Sequence, residues 1–231
     1  MKTSKLIFIS LLGTIALLIL VMMIDLRING RKYNDINSDF KVKKQSLKLF
    51  KTLYITNSMN VTLVKNDSSY IEVTSLKDSI QPKVNFSASG DTLRISDFEK
   101  SSHHNASIRV HATNTLKHVV LKHANLTLES FSTEELSLNL DKSNVMLNES
   151  EPYKSRIHFL KVQANNHSSV YGNQFYVDSM GIVLQHSEVT LEGIANKLGG
   201  TLIDSSRIQA RQPLEVWLKK DATSKVNIND Y

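Results

Sequence analysis

Three histidines in the C-terminal half, His123, His167 and His186, each stand immediately before a small residue: Ala124, Ser168 and Ser187. Imidazoles held at one place in successive structural repeats could share a transition metal when neutral, or repel one another when protonated. His167 and His186 fall on adjacent repeats. Stacked in register they would lie about 4.8 Å apart, which makes them the candidate metal pair. Lys142 and Ser205 fill the same place in other repeats, so the position also reads as an exposed corner that tolerates any polar residue. His103-His104 lies in a polar stretch and reads as solvated. Asp204, Arg207 and Arg211 are the residue types that cleave polysaccharides, but no carboxylate recurs at the same place in a neighbouring repeat, so they read as ordinary surface charge. Gly199-Gly200 has neither the lysine nor the strand-loop-helix context of a phosphate loop and reads as a corner. Cysteine is absent, which excludes a thiolate metal site, a cysteine nucleophile, a disulfide framework and a lipidated N-terminus. No catalytic residue and no cofactor-binding residue emerges, the binding residues stay unknown, and the chain does not read as an enzyme.

The elements that would position these side chains repeat. A small residue, one skipped position, then two apolar residues separated by one recur at Ala124, Ser143, Ser168, Ser187, Ser206 and Ser224. The spacings are 19, 25, 19, 19 and 18. A fixed period near 20 marks a solenoid, and period-2 alternation inside each unit marks β-coils. Alternation also runs backward from the small residue, as in Leu136, Leu138 and Leu140 before Ser143. Each coil thus supplies one inward strand, a tight polar corner and a second inward strand. The apolar residues Leu126, Val145, Val189 and Ile208 should stack over one another. The coil at Ser168 is shifted by one, since Ala164 precedes it by four, and the excess spacing should form a surface bulge around residues 151–156. Asp221 falls near an inward position of the last coil, and Trp217 alternates outward against Val216 and Leu218. Left-handed hexapeptide helices need a six-residue apolar beat beside glycine; eight glycines and no such beat favour a right-handed, single-stranded parallel β-helix, all-β.

Upstream, Leu53, Ile55, Val61, Leu63, Ile71 and Val73 line one face of short strands, and Ser89-Gly90-Asp91 signals a hairpin into Leu93 and Ile95. Glu99–Asn105 reads as a loop. Leu6–Ile24 is an uncharged apolar run, about 28 Å long as a helix, close to the hydrocarbon thickness of a bilayer. It ends without the small residues a signal peptidase needs, so an uncleaved transmembrane signal anchor is expected. The domains are then 1–25 (anchor), 26–46 (juxtamembrane linker) and 47–231 (β-helix). The net charge of +6 is scattered among acidic residues, which predicts a solvated surface and no nucleic-acid partner.

Three stretches resemble the auto-transporter adhesin head GIN domain family: Leu53–Val64, Ser89-Gly90-Asp91-Thr92-Leu93-Arg94-Ile95, and Ile108–Val110 running through Leu116 to Leu126. The likeness covers roughly residues 47–228. The family often carries glycine beside the small corner residue, whereas this chain has His123, Lys142, His167, His186 and Ser205. The resemblance implies an exported cell-envelope β-helix with an adhesive role and no catalytic residues to carry over. The sequence therefore predicts a non-enzymatic bacterial inner-membrane protein, single-pass through residues 6–24, with its C-terminal domain periplasmic or extracytoplasmic. An envelope protein or a glycan is the expected partner. The alternative is a self-assembling element on the cytoplasmic face, resembling bactofilins.

Overall fold

The structure, a computed structural model, describes residues 12–25, 27, 40–57, 59–76, 83–98, 106–149, 155–211 and 213–229. The chain divides into two compact units, Met1–Lys41 with Leu76–Ser79, and Val42–Ser75 with Ile80–Tyr231. In the first, residues 12–25 form an exposed helix. Among the described residues no helix is long and apolar enough to cross a membrane. The transmembrane span expected over Leu6–Ile24 is not shown by this: its residues from Leu12 to Ile24 lie in this helix. Residues 6–11 lie outside the described residues.

The strands, which apart from Phe40, Lys41 and Leu76 belong to the second unit, are β1 (Phe40–Ser46), β2 (Thr52–Thr56), β3 (Asn60–Lys65), β4 (Tyr70–Leu76), β5 (Val84–Ser89), β6 (Thr92–Phe98), β7 (Ser107–Ala112), β8 (His118–Lys122), β9 (Asn125–Glu129), β10 (Thr133–Asp141), β11 (Asn144–Asn148), β12 (Arg156–Asn165), β13 (Ser169–Gly172), β14 (Tyr176–Gln185), β15 (Glu188–Ile203), β16 (Arg207–Arg211), β17 (Glu215–Lys220) and β18 (Lys225–Asn229). β1 falls at the end of the stretch expected as a linker, where the alternating Phe40-Lys41-Val42-Lys43 makes an exposed strand whose lysines suit an edge.

Two parallel sheets face each other across one core. The first stacks β6, β2, β8, β10, β12, β14, the second half of β15, and β17. The second stacks β7, β3, β9, β11, β13, the first half of β15, β16 and β18. This is a parallel β-solenoid. Leu126, Val145, Val170, Val189, Ile208 and Val226 lie over one another in register, and the first five are buried. Leu53, Val119, Leu138, Val162 and Ile182 make the facing column. Each fully buried aliphatic side chain contributes about 1.5–3 kcal/mol, and no coil could bury its own face alone.

The six-residue excess before Ser168 has two sources. Leu138 and Val162 are in register 24 residues apart, and Val145 and Val170 are 25 apart. Five extra residues therefore precede β12, and one lies in the corner, where Asn166 and His167 both have positive φ. Residues 150–154 of the expected bulge lie outside the described residues. Ser155 and Glu149 at its base are buried, with the Ser155 amide donating to Glu149 Oε2 at 2.9 Å.

At the N-terminal end, spatial order departs from chain order. β2–β3 lies between β6–β7 and β8–β9, so the chain enters at the second rung, turns back to lay down the first, and crosses to the third. β5 pairs antiparallel with β6, and β4 antiparallel with β7, covering the first rung. The hairpin read at Ser89-Gly90-Asp91 forms, with Ser89 facing Thr92 and Gly90 at φ 56°. Gly199-Gly200 is not the expected corner. Both lie inside β15: Trp217 covers Gly199, and Gly200, at φ 143°, brings its backbone against the Ile182 carbonyl where a Cβ would not fit. Asp221 is not inward either. It follows β17 at the last corner, where its carboxylate accepts the amides of Asp204, Thr223 and Ser224.

Candidate binding surface

The corners explain why the repeat begins with a small residue. Ala124, Ser143, Ser168, Ser187, Ser206 and Ser224 are all buried. Each serine hydroxyl accepts an amide from the preceding rung: Ala124 N to Ser143 Oγ (3.1 Å), Ser143 N to Ser168 Oγ (3.1 Å), Ser168 N to Ser187 Oγ (3.3 Å), Ser187 N to Ser206 Oγ (3.3 Å) and Ser206 N to Ser224 Oγ (3.1 Å). Four hydroxyls also donate to a carbonyl of their own corner, those of Asp141, Asn165, Gln185 and Ile203. A larger residue would not fit, and an apolar one would orphan an amide that water cannot reach.

The residue before five of these six has left-handed backbone: His123 (φ 52°), Lys142 (48°), His167 (66°), His186 (49°) and Ser205 (62°). Glycine is the default there, while His, Asn and Asp are the side chains best represented among the exceptions. The histidine column thus has a backbone cause. The rings of His167 and His186 stand 5.4 Å apart and tilted by 39°, beside a shallow concavity of about 480 Å³ that also touches Glu188 and Arg207. Among the described residues no group of three or more His, Cys, Asp or Glu side chains converges as a metal site would need. His123 belongs to another corner, two coils away. His103-His104 lies outside the described residues.

Rows of polar side chains run along the solenoid on its outer faces. Asn125 donates to Asn60 (2.7 Å), Asn144 to Asn125 (2.8 Å) and Ser169 to Asn144 (2.7 Å), so one row is bonded over four rungs. The same row continues in register through Glu188, Arg207 and Lys225. Asp204 sits at a corner with positive φ and accepts Gln185 Nε2 at 2.8 Å, so it is drawn into the same scaffolding and does not converge with Arg207 as a catalytic pair.

One constellation escapes the sequence. Where the first sheet bends, the regular pairing skips Glu134, His158, Asp178 and Asn196, which lie one above another on β10, β12, β14 and β15. His158 Nδ1 contacts Asp178 Oδ2, and its Nε2 lies 3.7 Å from Glu134 Oε1. Arg156 Nε holds both oxygens of Asp178 at 2.9–3.0 Å, and the guanidinium carbon lies over the Tyr176 ring at 4.8 Å. The Arg156 hydrogen bond first, then that of His158, draws the Asp178 carboxyl below its usual range. Glu134, Arg156 and His158 line a cleft of about 390 Å³ together with Lys65, Lys117 and Ser132. The cleft can offer charge-assisted hydrogen bonds of both signs. Its imidazole meets carboxylates on both sides and touches no hydroxyl nucleophile among the described residues. The signal was available in register: the first sheet steps by 24, 20 and 18 residues over these rungs, while the serine phase steps by 25, 19 and 19.

No family model matches the chain, and no curated protein does. Solved structures do. A "putative adhesin" from Bacteroides fragilis is similar over 82% of this chain and 97% of its own, at 10% identity and a TM-score of 0.56. A "putative lipid binding protein" from Parabacteroides distasonis is similar over 84% and 98%, at 10% identity and a TM-score of 0.51. At such identities the likeness shows the fold alone.

Proposed function

We propose that the chain is a non-enzymatic, adhesin-like binding or scaffold module of the bacterial cell envelope, with a right-handed solenoid akin to the head GIN domain. The apolar stretch of residues 6–24 tethers it to the inner membrane, and the body faces outward. One observation carries this reading: the outward polar side chains are bonded to each other from rung to rung, as in Asn60-Asn125-Asn144-Ser169, which yields stiff, flat faces suited to presenting contacts. Affinity on such a face is spread over several coils. The adhesin likeness of the fold supports the same reading. A reporter fused after Tyr231 should be active only outside the cytoplasm, and activity confined to the cytoplasm overturns the placement. Removal of residues 6–24 should release the body from the membrane fraction.

A second reading has its own observation. The last rung leaves Val216 exposed and Leu218, Val226 and Ile228 half-buried, an end on which another copy could continue the stack. Self-assembly on the cytoplasmic face, in the manner of bactofilins, follows if light scattering shows polymers that Val226→Lys dissolves. A body that stays monomeric at high concentration removes it.

A further inference from the structure

The outer face of the first sheet changes character toward the C-terminus. One row across β12, β14, β15 and β17 reads Lys161, Gly181, Gly199, Trp217, all in register. The row beside it on one side begins with Phe159, and the row on the other side holds Val183, Thr201 and Lys219. Phe159 is 41% exposed, Val183 43% and Trp217 54%. A Cβ on Gly199 would press on Trp217 Nε1, with Cε2 at 2.7 Å and Cδ1 at 2.8 Å. So short an approach to three ring atoms together comes from the face of the indole, so Trp217 lies flat on Gly199 and turns its other face to solvent. The tip of the Phe159 ring, Cζ, comes within 3.9 Å of the corresponding point on Gly181. Two aromatic rings are therefore seated over two glycines that stand one rung, about 4.8 Å, apart.

We propose that this floor is a glycan-binding site for an anionic polysaccharide, with pyranose rings laid on Trp217 and Phe159 and uronic-acid carboxylates met by Lys161 and Lys219. The inference rests on the binding-module reading above and gives it a place and a ligand class. A sugar ring offers a face of polarised C–H groups that an exposed aromatic face attracts, and rings seated low on glycine backbone make a flat floor on which the chain of sugars can lie. The rim supplies the charge. Lys197 is paired with Glu215 at 3.1 Å, whereas neither Lys161 nor Lys219 has an ion-pair partner among the described residues. Thr201, between Val183 and Lys219, adds a hydroxyl.

The only tryptophan in the chain is Trp217, so its fluorescence reports on this site alone. The full chain, held in a mild non-ionic detergent, is titrated with oligogalacturonate and with neutral dextran, while calorimetry follows total binding. Oligogalacturonate should shift the emission saturably, and dextran should not. Phe159→Ala, and separately Lys161→Ala with Lys219→Ala, should each weaken the response about tenfold, the scale of one stacked aromatic contact. Both changes lie on the exposed face and should leave the unfolding midpoint in place. Calorimetric binding of oligogalacturonate with no change in emission, unaltered by Phe159→Ala, overturns this site while leaving the chain a binding module. An equal response to dextran overturns the anionic assignment. Absence of oligogalacturonate binding by both methods overturns the proposal outright, whereas the binding-module reading falls only with the topology and release experiments above.

Discussion

The two ends of the solenoid are finished differently. At the N-terminal end the outermost rung, β6–β7, is covered by antiparallel β5 and β4, and Ile95, Val110, Val84 and Val73 are buried there. At the C-terminal end β17–β18 has no strand over it among the described residues. Leu214 is 80% exposed and Val216 41%, although Leu198, in register with Val216 one rung earlier, is buried. The cost of the cover is polar. His111 is buried with neither ring nitrogen bonded, and Ser69 and Ser75 likewise keep unpaired hydroxyls. The open end has the reverse balance: its last corner is fully bonded through Asp221 and Ser224, while its apolar side chains meet water. Burial and hydrogen bonding are thus optimised at opposite ends, and each end should fail by its own route.

The largest expected contrast is in truncation. Ile95→Ala under the cover should cost about 2–5 kcal/mol, while Val226→Ala on the open rung should cost about 1 kcal/mol, read from urea midpoints at constant m. Equal costs would mean that the open rung is covered in solution. Next comes the serine ladder. Ser187→Ala orphans the buried Ser168 amide and should cost about 1–3 kcal/mol, whereas Ser187→Gly plus an ordered water would lose less. Glycine positions give a smaller pair of effects. Gly90→Ala at the covered end meets open space and only backbone strain, about 1 kcal/mol, whereas Gly200→Ala also collides with Ile182 and should lose more.

The finest distinction is in pH. Burial pushes the His111 imidazole below its ordinary value, ahead of the opposing pull of Glu72 and the like-charge effects of Arg109 and Lys44. Tyr70 stacks on its ring at 4.0 Å, and Val64 is its neighbour on β3. A histidine with a lowered folded pKa stabilises the fold above its unfolded value near 6.5, and that contribution is lost as pH falls through the folded value. Amide exchange in β4 and β7 should therefore quicken below about pH 6.5, while β17 and β18 are unaffected. His111→Phe keeps the stack and should abolish the effect. Exchange that quickens equally at both ends would break the comparison.

What could be read beforehand divides along physical lines. The serine phase was legible because a buried corner with one hydroxyl site admits few residues, so it repeats at Ser143, Ser168, Ser187, Ser206 and Ser224. The hairpin at Gly90 was legible for a similar local reason. The order β6–β7, β2–β3, β8–β9 was not, since no period in a sequence encodes a rung laid down behind its predecessor. The row Glu134-His158-Asp178-Asn196 was hidden because corners of unequal length, such as Gln185-His186-Ser187 against Asn165-Asn166-His167-Ser168, put the first sheet out of step with the second. Trp217 was correctly read as outward, but its seat on Gly199 required the neighbouring rung. The glycine pair looked like a corner because the need for a bare backbone came from across the sheet.

The serine ladder has one more consequence. Every hydroxyl takes its amide from the coil before, so the bonding runs in a single direction down the axis, and each coil presents the same socket and plug. A stretch from one serine to just before the next could be excised or duplicated, and the splice would find its complement on both sides. Length in this protein is then a quantity that evolution or an engineer can change in whole steps, without redesigning a joint.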